Sequence, residues 1–235
     1  MANEKIRNIR RWVRQQQRHL NKIDFGALRR LEPVSRTFGF DRGQPIDRFY
    51  IERFLTAHRA DIRGRVLELG DDTYTRRFGG ARVTRSDVLH GTNENPKATI
   101  VADLTRADAI ADDSFDCIVF TQSLQFIYDV HATLSALRRI LKPNGVVLAT
   151  FPGISQISRH DMERWGDYWR FTALSAQRLF CEAFGVDNVT VQAYGNVLGA
   201  VAFLHGLAAQ ELTEEELNHR DPDYEVVIAV RASKK

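Results

Sequence analysis

Short aliphatic and β-branched runs alternate with helical patterns over the part of the chain that begins at residue 65. Parallel strands need a crossover of about a dozen residues or more, usually a helix, and strands covered on both faces read as continuous apolar runs. The alternation therefore predicts an α/β fold with a doubly wound, mostly parallel sheet. The seven predicted strands are RVLELG, ARVTRSDV, ATIVADL, FDCIVFT, VVLATF, NVTVQAY and YEVVIAV.

Apolar residues at intervals of three and four predict the helices. One helix is predicted over residues 130–141 and stops at the sequence KPNG, where proline and glycine end a helix. A second is predicted over residues 175–184, with Ser175 as its cap and Gly185 at its end. A third pattern, IDRFYIERFLTAH, precedes the first strand and follows the turn-rich stretch FGFDRGQP.

The first quarter of the chain is basic. Residues 1–60 contain 14 Lys and Arg against 6 Asp and Glu, whereas the whole chain has a formal net charge of +3. Apolar residues from Ile6 to Ile23 fall near helical spacing, so the arginines form either the solvated face of an amphipathic helix or a surface that contacts phosphates. We predict a basic helical extension or lid over residues 1–60 and an α/β domain over residues 61–235.

The composition argues against several classes of protein. With 43% hydrophobic and 27% charged residues and no low-complexity tract, the chain is typical of a globular protein. Its longest apolar stretch is shorter than the ~20 residues of a membrane span. The first residues of the sequence show no signal-peptide pattern, so we expect a cytoplasmic protein. Isolated cysteines and histidines predict no metal site. No G-x-G-x-x-G follows the first strand, which disfavours a dinucleotide.

Acidic residues stand at the predicted carboxyl ends of three strands. The first strand ends in Glu68-Leu69-Gly70, the second runs to Asp87, the third to Asp103, and the fourth leaves at Thr121. Ligands of open α/β sheets bind at this edge, near the point where the strand order reverses. Carboxylates can accept ribose hydroxyls and the exocyclic amine of adenine. One such acid often only caps a turn, but the ordered set indicates a nucleoside site.

The ordered set resembles the successive motifs of class I S-adenosylmethionine-dependent methyltransferases over residues 64–150. The resemblance also includes the runs DSFDCIVF and LRRILKPNGV. It implies a Rossmann-like fold and S-adenosyl-L-methionine as cofactor. It further implies that the segment ending at Gly70 faces the methionine part, that Asp87 holds the ribose and that Asp103 meets adenine. Leu104 and Thr121 are implied beside the cofactor.

The residues after Gly70 depart from this family, which usually continues with alternating glycines. Here Asp71, Asp72, Thr73 and Tyr74 follow, so side chains stand where glycine lets backbone approach the ligand. One interpretation is that Asp71 or Asp72 binds the ammonium group of the cofactor while the Thr73 and Tyr74 hydroxyls bind its carboxylate. The other is that the site no longer functions.

The segment SRHDMERWGDYWRF, after the fifth strand, supplies the catalytic candidates. Methyl transfer to a hydroxyl is helped by a base within hydrogen-bond reach, and His160, Asp167 and Tyr168 are expected near the site. His160 is the first choice; its alternative is a surface histidine beside Asp161.

Substrate-binding candidates come from the same segment and from the extension. Trp169 and Arg170 would orient a substrate by stacking and charge, unless the aromatic residues here form a hydrophobic cap. The run WGDYWRFT is similar to a segment of small bacterial methyltransferases found with polysaccharide-synthesis enzymes, which implies a sugar-like acceptor. Arg48 and Tyr50 would add contacts from the lid, and a chain that begins near Asp61 is expected to keep its cofactor site.

The sequence is compatible with three functions. The main hypothesis is methyl transfer to a hydroxyl of a sugar, a nucleotide-sugar or a similar small metabolite. The second is a binding or assembly protein of the same fold without catalysis. The departure of the DDTYT loop from the family pattern favours this hypothesis. The third is a methyltransferase for a macromolecule, docked by the basic residues 1–60; nucleic acid is disfavoured because TQSLQF lacks the proline and adjacent aromatic residue that hold a flipped base. A homo-oligomer is compatible with the sequence.

Overall fold

The structure, a computed structural model, describes Trp12, Asp24 and residues 26–235. The chain divides into two compact units, Met1–Pro33 and Val34–Lys235. The described part of the first unit contains a short 3-10 helix, Gly26–Leu28. The helix predicted from Ile6 to Ile23 lies outside the described residues except for Trp12. Residues 34–60 belong to the second unit, so the predicted boundary at residue 60 falls inside it.

A sheet of seven strands runs through the second unit. The strands are β1 (Gly64–Leu69), β2 (Val83–His90), β3 (Ile100–Val101), β4 (Phe115–Thr121), β5 (Leu141–Pro152), β6 (Val189–Tyr194) and β7 (Val227–Ser233). Their order is β3-β2-β1-β4-β5-β7-β6, and β7 is antiparallel to both of its neighbours. The predicted Rossmann-like, mostly parallel sheet is confirmed. The strand order reverses between β1 and β4.

Helices cover both faces of this sheet. They are α1 (Ile46–Ala57), α2 (Val130–Ile140), α3 (Arg159–Arg164), α4 (Ala173–Phe184), α5 (Val197–Leu204) and α6 (Glu214–Asn218). One hydrophobic core includes the inward residues of α2 and α4, and a second includes those of α1 and α5. The alternating side chains of the central strands divide between these two cores, which holds the strand ends at one edge.

Side-chain caps mark the beginnings of helices α2 and α4. The Asp129 carboxylate accepts from the Ala132 N–H at 2.9 Å and starts α2. Thr172 accepts from the Ser175 N–H at 3.2 Å, while Ser175 Oγ accepts from the Thr172 N–H at 3.0 Å. The prediction that Ser175 is the cap of α4 is therefore wrong, because Ser175 is the third residue of the helix in a reciprocal capping box.

Candidate functional site

A cavity of about 520 Å³ opens at the carboxyl ends of β1, β2 and β4, beside the point where the strand order reverses. Apolar side chains, including Leu69, Leu89 and Ile127, form much of its wall. Its volume lies in the usual range of about 300 to 1,000 Å³ for sites that hold small molecules. The position is the one at which doubly wound sheets bind their ligands.

Gly70 and Glu68 have different roles at the end of β1. Gly70 lines the cavity with φ +83°, and no atom lies within 4 Å of where a Cβ would stand. Glu68 is buried, and its carboxylate accepts from the backbone N–H groups of Tyr74 at 3.2 Å and Thr75 at 2.7 Å. Burial raises the pKa of Glu68 to about 7. Glu68 therefore holds the following loop from beneath and is not among the residues that line the cavity.

The loop residues predicted to hold the methionine part of the cofactor are not among those that line the cavity. Asp71 Oδ1 accepts from the Thr73 N–H at 2.9 Å, which closes a local turn. Asp72 pairs with Arg76 at 2.6 Å, and the Tyr74 hydroxyl lies 3.4 Å from an Arg48 guanidinium nitrogen. The chain then enters a π-helical turn, Thr75–Gly79, a type of local structure that occurs often at functional sites.

Asp87 does not lie at the end of its strand, which corrects the predicted placement. β2 continues for three more residues to His90, and Asp87 pairs laterally with Leu67 in the middle of the sheet. Its buried carboxylate accepts from Arg65 at 2.7 Å and from Arg85 at 3.0 Å. Burial raises the pKa of Asp87, but hydrogen bonds from the two arginines outweigh it and hold the pKa below its ordinary value. Both oxygens of the Asp87 carboxylate therefore already accept hydrogen bonds from arginine side chains.

His90 occupies the strand end where Asp87 was predicted. It lines the cavity, and its Nδ1 atom contacts the Thr92 carbonyl oxygen at 2.9 Å. The edge of the Trp165 ring lies against His90, with ring centroids 5.4 Å apart. A Cβ on Gly91 would stand 3.2 Å from Trp165, so this ring packs directly on the backbone after β2.

Asp103 and Leu104 are in the predicted place. Both line the cavity after β3. Asp103 Oδ1 accepts from the Thr105 hydroxyl at 2.8 Å and the Thr105 N–H at 2.9 Å, and these bonds lower the pKa of Asp103. Thr121 ends β4 without lining the cavity; the next two residues, Gln122 and Ser123, line it instead.

A second cavity, of about 160 Å³, adjoins the first, and Gln122, Phe126 and Asp161 line both. The second unit supplies its walls from residues 38–48, from the loop after β4 and from the segment after β5. Both aromatic and charged residues line it. The charged residues that line it are Asp47, Arg48, Asp161, Asp167 and Arg170.

The three catalytic candidates have different surroundings. Asp167 lines the smaller cavity, but its side chain is 1% exposed and accepts from both terminal nitrogens of Arg170 and from the Ser158 N–H. Tyr168 is half exposed and lines the larger cavity. The His160 side chain is 68% exposed and lines neither cavity, which corrects its predicted position at the site.

Of the four substrate-binding candidates, Arg48 lines the smaller cavity, and its guanidinium lies 6.0 Å from the centroid of the Phe40 ring. Arg170 also lines it, but its guanidinium is engaged by Asp167 and by the Gln156 carbonyl oxygen at 2.7 Å. Tyr50 is buried and stacks on Tyr194, and burial raises the pKa of Tyr50 to about 12, so its predicted contact with substrate is wrong.

Trp169, the fourth candidate, packs against residues that line the larger cavity. Its ring stacks on Tyr128 with centroids 5.7 Å apart, and its indole N–H donates to the Ile127 carbonyl oxygen at 3.2 Å. Trp169 lines neither cavity, so the hydrophobic-cap interpretation describes it correctly.

The structure brings forward site residues that the sequence did not single out as ligands. Gln122 and Gln125 line the smaller cavity, and His90 and Trp165 line the larger one. The signal for the two glutamines was their position directly after a buried strand, on the ligand-binding edge of the sheet. Among the described residues, no group of three or more His, Cys, Asp or Glu could hold a metal ion, and no helix is long and apolar enough to cross a membrane.

Comparisons with known proteins agree with this geometry. Residues 70–149 match the model of a methyltransferase domain. A candidate sarcosine dimethylglycine methyltransferase from Galdieria sulphuraria has a similar structure, with 13% identity and a TM-score of 0.53 over 80% of this chain and 86% of its own. A chain from the complex of the Haloferax volcanii methyltransferase activator Trm112 with a candidate methyltransferase has 18% identity and a TM-score of 0.50 over 80% and 94%.

The fold is shared with other chemistry as well. The (4+2)-cyclase SpnF is similar to this chain with 15% identity and a TM-score of 0.51, over 82% of this chain and 84% of its own. No curated protein matches the sequence. These identities establish the fold, and the acceptor must be argued from the cavities.

Proposed function

We propose that this protein transfers a methyl group from S-adenosylmethionine to a hydroxyl of a small, sugar-like acceptor, as the match of residues 70–149 to a methyltransferase domain supports. The observation that carries the proposal is the pair of adjoining cavities: one at the ligand-binding edge of the sheet and one sharing a wall with it. A transferase for two substrates needs two such spaces that meet.

The larger cavity fits the cofactor. Its volume suits a small molecule, and Leu89 and Leu104 supply apolar surface of the kind an adenine ring packs on. Asp103 offers a carboxylate that can accept from the ligand, and Gly70 leaves backbone open to it. His90, at the end of β2, stands where the family resemblance implies the ribose contact. The saturated Asp87 has no part in this fit.

The cofactor supplies an electrophilic methyl group on a sulfonium, and the protein has to align the acceptor with it. Alignment of this kind can contribute several orders of magnitude to the rate without a covalent intermediate. The Asp167–Arg170 pair and the Ser158 N–H fix the backbone of the segment that forms one wall of the smaller cavity. Tyr168 and Trp165, on the same segment, line the larger cavity.

Calorimetric titration with S-adenosylmethionine and S-adenosylhomocysteine tests the cofactor site. We expect both to bind, and Asp103→Asn to weaken binding about tenfold or more, because a hydrogen bond to a charged group contributes roughly 1.5 to 3 kcal/mol. Asp108→Asn is the matched control, since Asp108 is exposed nearby and does not line the cavity. A folded protein that gives no heat with either ligand would instead support the binding or assembly role.

A further inference from the structure

Two glutamine side chains that line the smaller cavity each keep one buried amide atom without a partner among the described residues. Gln125 is 5% exposed, and its Nε2 atom donates to the Gln122 carbonyl oxygen at 3.0 Å. Gln122 Oε1 lies 3.4 Å from the same Nε2 atom. These contacts leave the Gln122 Nε2 donor and the Gln125 Oε1 acceptor, and neither has a partner among the described residues although both atoms are buried. Unsatisfied buried polar atoms are rare, because each costs about 1 to 3 kcal/mol.

The backbone at Gln122 is held in an uncommon conformation. Its φ is +48°, in the left-handed region that few residues other than glycine adopt, and its N–H donates to the Thr150 carbonyl oxygen at 2.8 Å. Such conformations persist where the surroundings enforce them, and they cluster at functional sites. The result is that the Gln122 side chain stands at the wall that the two cavities share.

One free donor and one free acceptor on neighbouring side chains complement a restricted set of chemical groups. A hydroxyl can accept from Gln122 Nε2 and donate to Gln125 Oε1 at the same time. An ammonium group has no acceptor for Gln122, and a carboxylate has no donor for Gln125. Either would leave one buried amide atom unsatisfied, so the amide pair discriminates in favour of a hydroxyl.

Asp47 adds a carboxylate to the same cavity. It lies in the first turn of α1, and its Oδ1 atom accepts from the Arg48 N–H at 2.7 Å, which leaves Oδ2 for a ligand. Burial raises the pKa of Asp47, which moves the carboxylate toward the strength of a useful base. The other carboxylate on this wall, Asp167, is engaged by Arg170 and cannot serve in the same way.

We propose that Gln122 and Gln125 select the acceptor by its hydroxyl and that Asp47 accepts the hydroxyl proton. In the transfer, the hydroxyl oxygen forms a bond to the methyl carbon, the sulfur–carbon bond breaks with its electron pair remaining on sulfur, and the proton passes to the Asp47 carboxylate. The inference rests on the proposed function, and it specifies which residues choose the substrate class.

A panel of acceptors measures this selection. Release of S-adenosylhomocysteine is followed with neutral polyols from glycerol to methyl glycosides, with primary amines from ethylamine to putrescine, and with carboxylates from acetate to succinate. We expect polyols to stimulate turnover and the other two classes to do so at least about tenfold less. Stimulation by amines or carboxylates in preference to polyols, or by no polyol at all, overturns the inference.

Two variants of Gln122 make the test specific. Gln122→Glu keeps the shape but replaces the free donor with an acceptor, so it should shift the polyol-to-amine ratio toward amines by about 10- to 100-fold, and Gln122→Met should lower polyol turnover without favouring amines. Gln192→Glu, on the exposed side of β6, is the matched control and should leave the ratio unchanged. A Gln122→Glu ratio equal to that of the unmodified protein overturns the proposed selection.

Asp47→Asn tests the proton acceptor. Polyol-dependent turnover should fall by roughly 10²- to 10⁴-fold while cofactor affinity stays near that of the unmodified protein. Calorimetry with S-adenosylmethionine is run on every variant. Absence of cofactor binding in the unmodified protein overturns the proposed function and this inference with it, whereas cofactor binding with unaltered ratios and rates in the variants overturns this inference alone.

Discussion

Glu68 gives the protein a pH-dependent stability. A glutamate has an ordinary pKa of 4.5, and burial raises the folded value to about 7. Between these values the folded protein holds a proton that the unfolded chain releases, so a rise in pH through this window favours unfolding. We expect Glu68 to lower the free energy of unfolding by roughly 3 kcal/mol from pH 4 to pH 8. Denaturant titrations across this range measure it.

Glu68→Gln is the comparison for that measurement, because other groups also titrate in the window. The difference in slope between the two proteins isolates the Glu68 carboxyl group. Equal slopes would mean that this carboxylate is ionised in the folded protein, held so by the Tyr74 and Thr75 N–H groups.

His160 should be dispensable. Its ring is exposed, lies 3.5 Å from Asp161 and lines neither cavity. We therefore expect His160→Ala to keep the rate and the pH profile of the unmodified protein with a polyol acceptor. A loss comparable to that of Asp47→Asn would return His160 to the catalytic candidates and show that the segment after β5 changes position during turnover.

Residue-level prediction from the sequence was limited by contacts between strands. Gly70 lines the cavity because it directly follows β1, and Asp103 lines it from the second position after β3. Asp87 was placed wrongly because β2 continues through the apolar Val88 and Leu89, and the Arg65 that holds Asp87 lies on the neighbouring strand, which no local pattern reveals.

An ion pair between Asp167 and Arg170 lies within the segment between β5 and α4. Asp167 accepts from Arg170 at 2.5 and 2.9 Å and from the Ser158 N–H at 3.0 Å, with its side chain almost fully buried. Removing one member of a buried pair leaves an uncompensated charge and costs about 3 to 5 kcal/mol. We expect Asp167→Asn to speed hydrogen exchange throughout residues 153–172 and to raise the KM for the acceptor more than it lowers kcat.

A role for Asp167 as a base predicts the reverse. In that case kcat falls while hydrogen exchange of the segment stays unchanged. Arg164→Gln, on an exposed side chain of the same segment, serves as the control for changes in charge alone.

Elements were more predictable than site residues. Each of the seven predicted strands overlaps an observed strand, and the buried parallel strands were recognisable as continuous apolar runs. The bounds differ: β2 and β7 end two and three residues later than predicted, and β5 begins five residues earlier. The ends of the helices were less certain: α4 begins before Ser175 because Thr172 competes for the cap, and both residues are good caps. β3, with Ile100–Val101 alone, is too short to be delimited by periodicity.

At the scale of the whole molecule, α1 is part of the core. Its buried residues are Ile46, Tyr50, Ile51, Phe54 and Leu55. Deleting even one large core side chain costs about 2 to 5 kcal/mol, against a total stability of about 5 to 15 kcal/mol. A chain that begins at Asp61 should therefore fail to fold, which reverses the expectation from the sequence, whereas a chain that begins at Val34 should unfold cooperatively.

Thermal unfolding of the two shortened chains distinguishes these outcomes. A cooperative transition in the chain that begins at Asp61 would show that the sheet is stable without α1. Loss of the transition in the chain that begins at Val34 would show instead that residues 1–33 contribute to the stability of the second unit.

The two cavities share three lining residues, which are Gln122, Phe126 and Asp161. A side chain that is shared in this way has one position, and both ligands must accept it. Whatever the first ligand does to that position changes the affinity for the second, and by thermodynamic linkage the second alters the first by the same factor. We therefore expect the affinities for cofactor and acceptor to be coupled through these three side chains.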